Sequence, residues 1–216
     1  ETYYFDSEQA LFSKSNELNS LSGARSSLVR ANMRTGSKGV SPVVDMGRTH
    51  TIYLNNYITS NTNGETAASG GDLLNRYISK TVTLAEGQDA EDIQVVLTAY
   101  RPPNTDVVVW LRALHREDST LFADAPWIQL DKLNGGDGVY SSFTNRGDFK
   151  EYTYGIPSSY MTAPEPQLGA FQYTNSLGIQ FTGYKYFAVK IGLVNTQNNS
   201  AVYPRVGDLR CIALQI

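Results

Sequence analysis

Two histidines, His50 and His115, are the only imidazoles in a chain of 216 residues, so any acid–base or zinc chemistry by histidine would have to use them. They lie far apart, at unrelated strand ends, and neither has a second ligand at metal spacing. No Gly-x-Ser-x-Gly elbow offers a nucleophile to either one. Asp131, Asn134 and Asp137 place three oxygen donors among glycines, as a calcium loop would. Their spacing is not that of an EF-hand and no bidentate Glu closes the run, so a glycine-rich turn is the better reading. Arg146-Gly147-Asp148 spells an adhesion tripeptide and Asn198-Asn199-Ser200 a glycosylation sequon. The first reads as a turn with Asp148 opening a strand, the second as a polar loop. Cys211 is the single cysteine, which excludes an intrachain disulfide, and its apolar neighbourhood predicts a buried, inert thiol. The expected catalytic, cofactor and metal sets are therefore empty, and the chain reads as a non-enzyme.

Aromatic and basic residues are what remain for recognition. There are 14 tyrosines, and charged residues make up only 18% of the chain. Tyr carries a large apolar area with a polar tip, which suits contact with other proteins. Tyr152, Tyr154, Tyr160, Tyr173, Tyr184 and Tyr186 gather in the second half, and Trp110 and Trp127 flank the central strands. Tyr152, Tyr154 and Tyr184 are taken as candidate contact residues, together with Arg25, Arg30 and Arg34. The same rings, if exposed, would serve as stacking platforms for sugar. Between Lys14 and Arg48 the charge is about +4, against about −7 for the rest of the chain, so a basic N-terminal part faces an acidic body. A net charge of −3 and pI near 5.4 argue against nucleic acid as the main partner. No apolar run is long enough for a membrane span and no secretory pattern opens the sequence. A start at Glu1 suggests a processed chain or a piece of a longer one.

The elements that must carry these residues read as strands. From Tyr77 to Leu114 the chain gives a strand-like run, an acidic turn and two alternating segments about a Pro102-Pro103-Asn104 turn, which predicts a central β-hairpin. Ile93, Val95, Leu97 and Ala99 project to one side of the first segment, and Val107, Val109, Leu111 and Ala113 to one side of the second, where Val109 and Leu111 are expected to be buried. Ile78, Val82 and Leu84 are also expected to be available for burial. Further strands are expected over 24–33, 51–54, 127–130, 148–155, 184–194 and the terminal run to Leu214. Loops are expected at 55–72, long and exposed, at 131–144, and through most of 156–183. Almost no helical period appears, so the fold class is all-β: an antiparallel β-sandwich, jelly-roll-like, with an extended N-terminal arm. Residues 1–39 form the arm and first strand, and residues 40–216 the sandwich domain.

Five segments occur in a familiar order: "VSPVVDMGR" (Val40 to Arg48), "NRYISKTVTLAEGQDAEDIQVVLTAYRPPNTDVVVWLRAL" (Asn75 to Leu114), "FKEYTYGIP" (Phe149 to Pro157), "KYFAVKIGLV" (Lys185 to Val194) and "YPRVGDLRCIAL" (Tyr203 to Leu214). The set resembles a domain of large virion structural proteins of contractile-tailed bacteriophages, of the kind found in marine and cyanobacterial phages. The resemblance implies a tail, baseplate or fibre component, made in the bacterial host cytoplasm and located in the virion. It implies no cofactor. The implied partners are other virion proteins, in a homo-oligomer or multi-subunit assembly. It carries over no active-site residue, only structural turns: Pro42 and Asp45 before the sandwich, Pro102 and Asp106 in the hairpin turn, Pro204 and Asp208 leading into the last strand. The alternative reading is a carbohydrate-recognition module that contacts a glycan of the host surface.

Overall fold

Alternation of β-branched and aromatic residues with polar ones drives nearly the whole chain into extended structure, because a pleated strand sends successive side chains to opposite faces. The computed structural model describes residues 32–43, 60–134, 138–163, 169–196 and 202–215. In chain order the strands are β1 (Arg76–Ile78), β2 (Val82–Thr83), β3 (Asp92–Tyr100), β4 (Thr105–Leu114), β5 (Ile128–Gln129), β6 (Asp131–Asn134), β7 (Lys150–Gly155), β8 (Gln172–Thr174), β9 (Gln180–Thr182), β10 (Tyr186–Asn195) and β11 (Arg205–Leu214). Single 3₁₀ turns at Phe122–Asp124 and Ser158–Tyr160 are the only helical elements among the described residues. One sheet runs β1-β10-β4-β5, with β2 also on β10, and a second runs β11-β3-β7-β6. Every described strand pairing is antiparallel, and the two sheets enclose one core, so the fold is an antiparallel β-sandwich.

The inward face predicted for the central strands is the core. Ile93, Val95, Leu97 and Ala99 from β3 meet Val107, Val109, Leu111 and Ala113 from β4, with Phe187, Val189 and Ile191 from β10. Val109 and Leu111 are completely buried. The expected hairpin is wrong in one respect: β3 and β4 do not pair with each other. β3 lies between β11 and β7, while β4 lies between β10 and β5 in the opposite sheet. Their inward residues face one another across the core instead of lying side by side on one sheet. Pro102 and Pro103 have no N–H to continue a ladder, and the Thr105 N–H and hydroxyl both donate to the Pro102 carbonyl at 3.2 and 2.7 Å. That tight bend carries the chain over the ~10 Å between packed sheets. β10 and β11 lie in the two sheets in the reverse order, β10 beside β4 and β11 beside β3, so β3–β4 and β10–β11 form one long antiparallel ribbon folded over the core. Asn104, at φ 63°, sits at the fold and accepts the Thr196 N–H and hydroxyl, each at 3.0 Å.

Other expectations shift for physical reasons. Residues 131–134, read as a loop, form β6, because the chain bends at Leu130 from one sheet into the other and pairs with β7. Within the loop-rich stretch 156–183, β8 and β9 make a small hairpin closed by Asn175 and Gly178. Asp106 is the second residue of β4 and pairs with Val194, so it is a strand residue and not part of the turn. Asp208 likewise lies inside β11, past a bulge at Gly207 that separates Val206 from Asp208 in the ladder with β3. Pro102 and Pro204 do sit at the bends that precede β4 and β11, and both are buried. Ile78 and Val82 are exposed, since β1 and β2 are short edge strands with nothing stacked over them. Leu84 alone of that trio packs against the core.

By contact density the chain divides into two units, Glu1–Asn56 and Tyr57–Ile216, so the expected boundary after residue 39 falls inside the first. All the strands above belong to the second. Within the first, residues 32–43, which include Arg34 and Pro42, are exposed and without regular structure. Arg25, Arg30, Asp45, His50, most of the strand expected over 24–33 and all of that over 51–54 lie outside the described residues.

Two substitutions test the packing. Leu111→Ala should cost about 2–4 kcal/mol and Val109→Ala less, read from urea-unfolding midpoints. Gly192→Ala should destabilise by about 1–3 kcal/mol through overpacking, because a Cβ there would meet Leu73 and lie 2.7 Å from the Trp110 ring. A Gly192→Ala variant as stable as the parent would contradict the packing of that face.

Candidate functional site

Buried charges and clustered aromatics are where function is sought first, since both are costly unless something uses or satisfies them. The outer face of the β10–β4 sheet holds the most concentrated set. Lys190, opposite Trp110 in the ladder, is fully buried. Its ammonium donates to the Glu65 carbonyl at 2.5 Å and to Glu65 Oε2 at 2.8 Å, and lies 4.9 and 4.8 Å from the ring centres of Trp110 and Trp127. Arg112 stacks on Trp127 at 4.4 Å and donates to the Ala68 carbonyl at 2.7 Å. Glu65 also accepts the Leu73 N–H at 2.8 Å and pairs with Arg76 at 3.3 Å. Burial alone would raise the Glu65 pKa; the Lys190 hydrogen bond, the Leu73 N–H and the charges of Lys190 and Arg76 outweigh it and hold the group below the usual carboxylate value.

The partners of Lys190 and Glu65 given above all belong to this chain, so the set works as a clasp. It fastens residues 60–73, read from sequence as a free exposed loop, onto the sheet. Gly71 fits only without a side chain there, because a Cβ would lie 2.5 Å from the Glu65 nitrogen. Leu73 and Trp127 complete an apolar layer beneath the clasp with Trp110, Ala188 and Val194.

A second polar set joins the β8–β9 hairpin to the end of β4. The Asp118 carboxylate accepts Tyr173 Oη–H at 2.9 Å, Asn175 Nδ2–H at 3.1 Å, and the Thr120 N–H and hydroxyl at 3.0 and 2.7 Å. Burial pushes its pKa up, but these four donors prevail and lower it. His115 stacks on Phe181 at 5.2 Å, and its Nδ1 accepts the Glu117 N–H at 3.2 Å. The carboxylate nearest in this network is thus saturated by donors that do not include the imidazole.

The expected contact tyrosines are core residues, which corrects that assignment. Tyr152, Tyr154 and Tyr184 are all buried to 1% exposure or less. Each phenol donates to a main-chain carbonyl: Tyr152 to Val139 at 3.0 Å, Tyr154 to Val107 at 2.7 Å and Tyr184 to Asp92 at 2.9 Å. A satisfied hydroxyl removes the penalty of burial, so the rings fill space between the sheets. Burial raises the pKa of all three. Cys211, expected to be buried, is exposed on β11, because no described strand covers that edge. Asn134 spends its side-chain oxygen on the Thr153 N–H at 2.6 Å, and both it and Asp131 belong to β6, while Asp137 lies outside the described residues. Asp148 lies in a turn that precedes β7 and does not open that strand: its carboxylate accepts the Ser142 N–H at 2.6 Å and pairs with Lys150 at 3.2 Å.

The surface best built for contact is at the bend between the sheets, where residues 138–149 fold over the ends of β3 and β4. Arg101, almost fully buried, receives the Ser141 N–H on its carbonyl at 2.7 Å and donates its own N–H to the Ser141 hydroxyl at 2.9 Å. Its guanidinium pairs with Asp106 at 2.9 Å and lies over Tyr140 at 4.7 Å and Tyr152 at 5.8 Å. Arg205 lies over Tyr100 at 4.5 Å and Phe149 at 5.4 Å, and donates to the Arg146 carbonyl at 2.5 Å. Two guanidiniums therefore alternate with four rings. Their outer boundary is apolar and open: Val139, Tyr140, Phe143 and Phe149 are 41, 38, 58 and 37% exposed. Beside it, Asp106, Val108, Gln129, Leu130, Asp131, Lys132 and Tyr154 line an open cleft of about 380 Å³. Asp106 already holds Lys132 at 2.5 Å as well as Arg101, while Asp131 on the same lining is exposed.

Sequence reasoning passed over Arg101, Tyr140, Phe143, Phe149 and Arg205. The usable signal was the aromatic content of 138–149, where 138–144 were read as a glycine-bearing loop and Phe149 as part of a strand. In comparisons with known proteins, no family model, no curated protein and no solved structure matches this chain. Among the described residues no group of three or more His, Cys, Asp or Glu could hold a metal ion, and no helix is long and apolar enough to cross a membrane.

The clasp makes a pH-dependent prediction. Because the Glu65 pKa is lowered in the folded chain, its stabilisation is fully present above the ordinary carboxylate range and is lost as pH falls through the folded value. Glu65→Gln should cost about 3–5 kcal/mol at neutral pH by stranding Lys190, and should show a smaller further loss in acid than the parent. Thermal melts of both chains from pH 7 to pH 3 measure this; parallel curves would show that Glu65 is not the group responsible.

Proposed function

We propose that this chain is a non-enzymatic structural component of a bacteriophage virion, a tail, baseplate or fibre-associated protein that acts through protein–protein contact. The observation that carries the contact reading is the bend surface: Val139, Tyr140, Phe143 and Phe149 held open to solvent over Arg101 and Arg205. Aromatic and arginine side chains dominate binding energy at protein interfaces, and rings already fixed by stacking lose little freedom when a partner arrives. A sandwich whose buried Lys190 and Glu65 are paired with each other supports the same reading, since it supplies a rigid frame. The virion assignment rests on the ordered sequence resemblance from Val40 to Leu214. The protein would then be made in the host cytoplasm and reside in the particle, beside other virion proteins.

The carbohydrate alternative drew on the rings between Tyr152 and Tyr186. Three of those rings, Tyr152, Tyr154 and Tyr184, lie inside the core, while Tyr160 is 38% exposed; protein contact is the reading we adopt. Two measurements test it. Mass spectrometry of gradient-purified particles should find the chain at structural copy number, and particles without it would overturn the virion assignment. Phe143→Ser with Phe149→Ser should leave the melting temperature nearly unchanged while reducing incorporation into particles at least roughly tenfold, the scale of one interface anchor. Normal incorporation of a folded double variant would remove this surface from the contact.

A further inference from the structure

The longest uncovered edge of the sandwich is β11. It runs for ten residues, pairs with β3 on one side, and has no strand on the other among the described residues. Such an edge is a template for another strand. The Leu214 carbonyl accepts the Glu91 N–H on the β3 side. Since successive residues turn their amide groups to opposite sides, Leu209, Cys211 and Ala213 direct theirs to the open side. Asp208, Arg210, Cys211 and Ile212 are exposed along it.

We infer that β11 pairs with β11 of a second copy of this chain, antiparallel, about a two-fold axis at Leu209. The charges on the strand choose both the occupant and the register. A two-fold perpendicular to the sheet sets residues of the same face opposite one another. With the axis at Leu209, the open amides of the two Leu209 residues exchange hydrogen bonds. Asp208 of each copy then stands directly opposite Arg210 of the other, in the closer, non-hydrogen-bonded type of pair. An axis at Asp208 sets carboxylate against carboxylate, and one at Arg210 sets guanidinium against guanidinium. An axis at Cys211 leaves Arg210 opposite Ile212 and Asp208 opposite Leu214. Only the Leu209 axis makes the edge self-complementary. Within one chain Arg210 already reaches both Asp208, at 3.2 Å, and Glu151, at 2.6 Å, so the second copy joins an existing charge cluster on the outer face. The bulge at Gly207 disturbs the strand beyond that point, which limits the new ladder to a few residues on each side of the axis. This pairing is independent of the virion reading and uses a different surface from the bend.

The register is tested by crossing two single-cysteine chains, both full length and carrying Cys211→Ser. One has Asp208→Cys, the other Arg210→Cys. Mixed and oxidised with glutathione disulfide, they should form a disulfide between positions 208 and 210 of different copies, while the remaining Arg210 and Asp208 still pair. Each variant oxidised alone should give at most a small fraction of that product, because like positions are offset by two residues. Equal cross-linking of either variant with itself would overturn the register. Sedimentation equilibrium gives the second measurement. Asp208→Arg or Arg210→Asp alone should weaken dimerisation at least roughly fivefold, and the two together should restore it, with circular dichroism confirming the fold of each. A parent chain that stays monomeric over its soluble range, or a double swap no better than the single changes, would overturn the pairing itself.

Discussion

The ion pair between Glu65 and Lys190 is the interaction on which the outer layer of the sandwich depends. A lysine in the middle of a central strand, with no water within reach, is tolerable only if its charge is met by an opposite charge and its donors by acceptors. Glu65 supplies a carboxylate and a carbonyl from a segment more than a hundred residues earlier in the chain. Meeting that requirement fixes where residues 60–73 must run. The tryptophans then follow: Trp110 and Trp127 close over the ammonium and exclude solvent, and Arg112 stacks on the second ring while bonding the Ala68 carbonyl. Gly192 leaves room for Leu73 and the Trp110 ring. A misplaced loop would leave the Lys190 charge buried and unmatched, which is strongly unfavourable.

The inner layer is organised by a different constraint, the need to bury both faces of β4. Its inward face packs on the core and its outward face on the clasp, so β4 is buried almost throughout. Tyr154 and Tyr184 stitch this arrangement by passing hydroxyls to the carbonyls of Val107 and Asp92. The Tyr154 bond runs from one sheet to the other, and so does the bend at Pro102. The aromatic surface at that bend is therefore anchored to both sheets.

The strands and their inward faces could be read from sequence because a period of two is a local property. Ile93 to Ala99, Val107 to Ala113 and Phe187 to Ile191 all point as their alternation requires. Partnership is not local. The same alternation fits two strands paired in a hairpin or facing each other across a core, and only the missing amides at Pro102 and Pro103 hinted at the second. The clasp was hidden because Glu65 stands among Asn, Thr, Ser and Gly, a composition that signals a loop, and nothing nearby announces a partner on β10. Tyrosine misled for a related reason: its composition-level meaning is contact, but a ring whose hydroxyl finds a carbonyl is as good a core residue as phenylalanine. Of the exposed rings that do form a surface, Tyr140 and Phe143 sit in a stretch whose glycines drew attention away from them, and Phe149 was read as an ordinary strand residue.

The folded-over ribbon has a consequence for how the chain acquires its structure. Its two halves, β3–β4 and β10–β11, pair across separations of roughly seventy to one hundred and twenty residues, as in Leu114 with Tyr186 and Asp92 with Leu214. Contacts this distant in sequence carry a large loop-closure cost before any of them is rewarded, which places such a topology among slow folders. During synthesis, β3 and β4 emerge with their hydrophobic faces formed but with their ladder partners not yet made. The core can close only once β10 has been made, because Phe187, Val189 and Ile191 complete it opposite β3, so that late strand acts as the timing element of the domain.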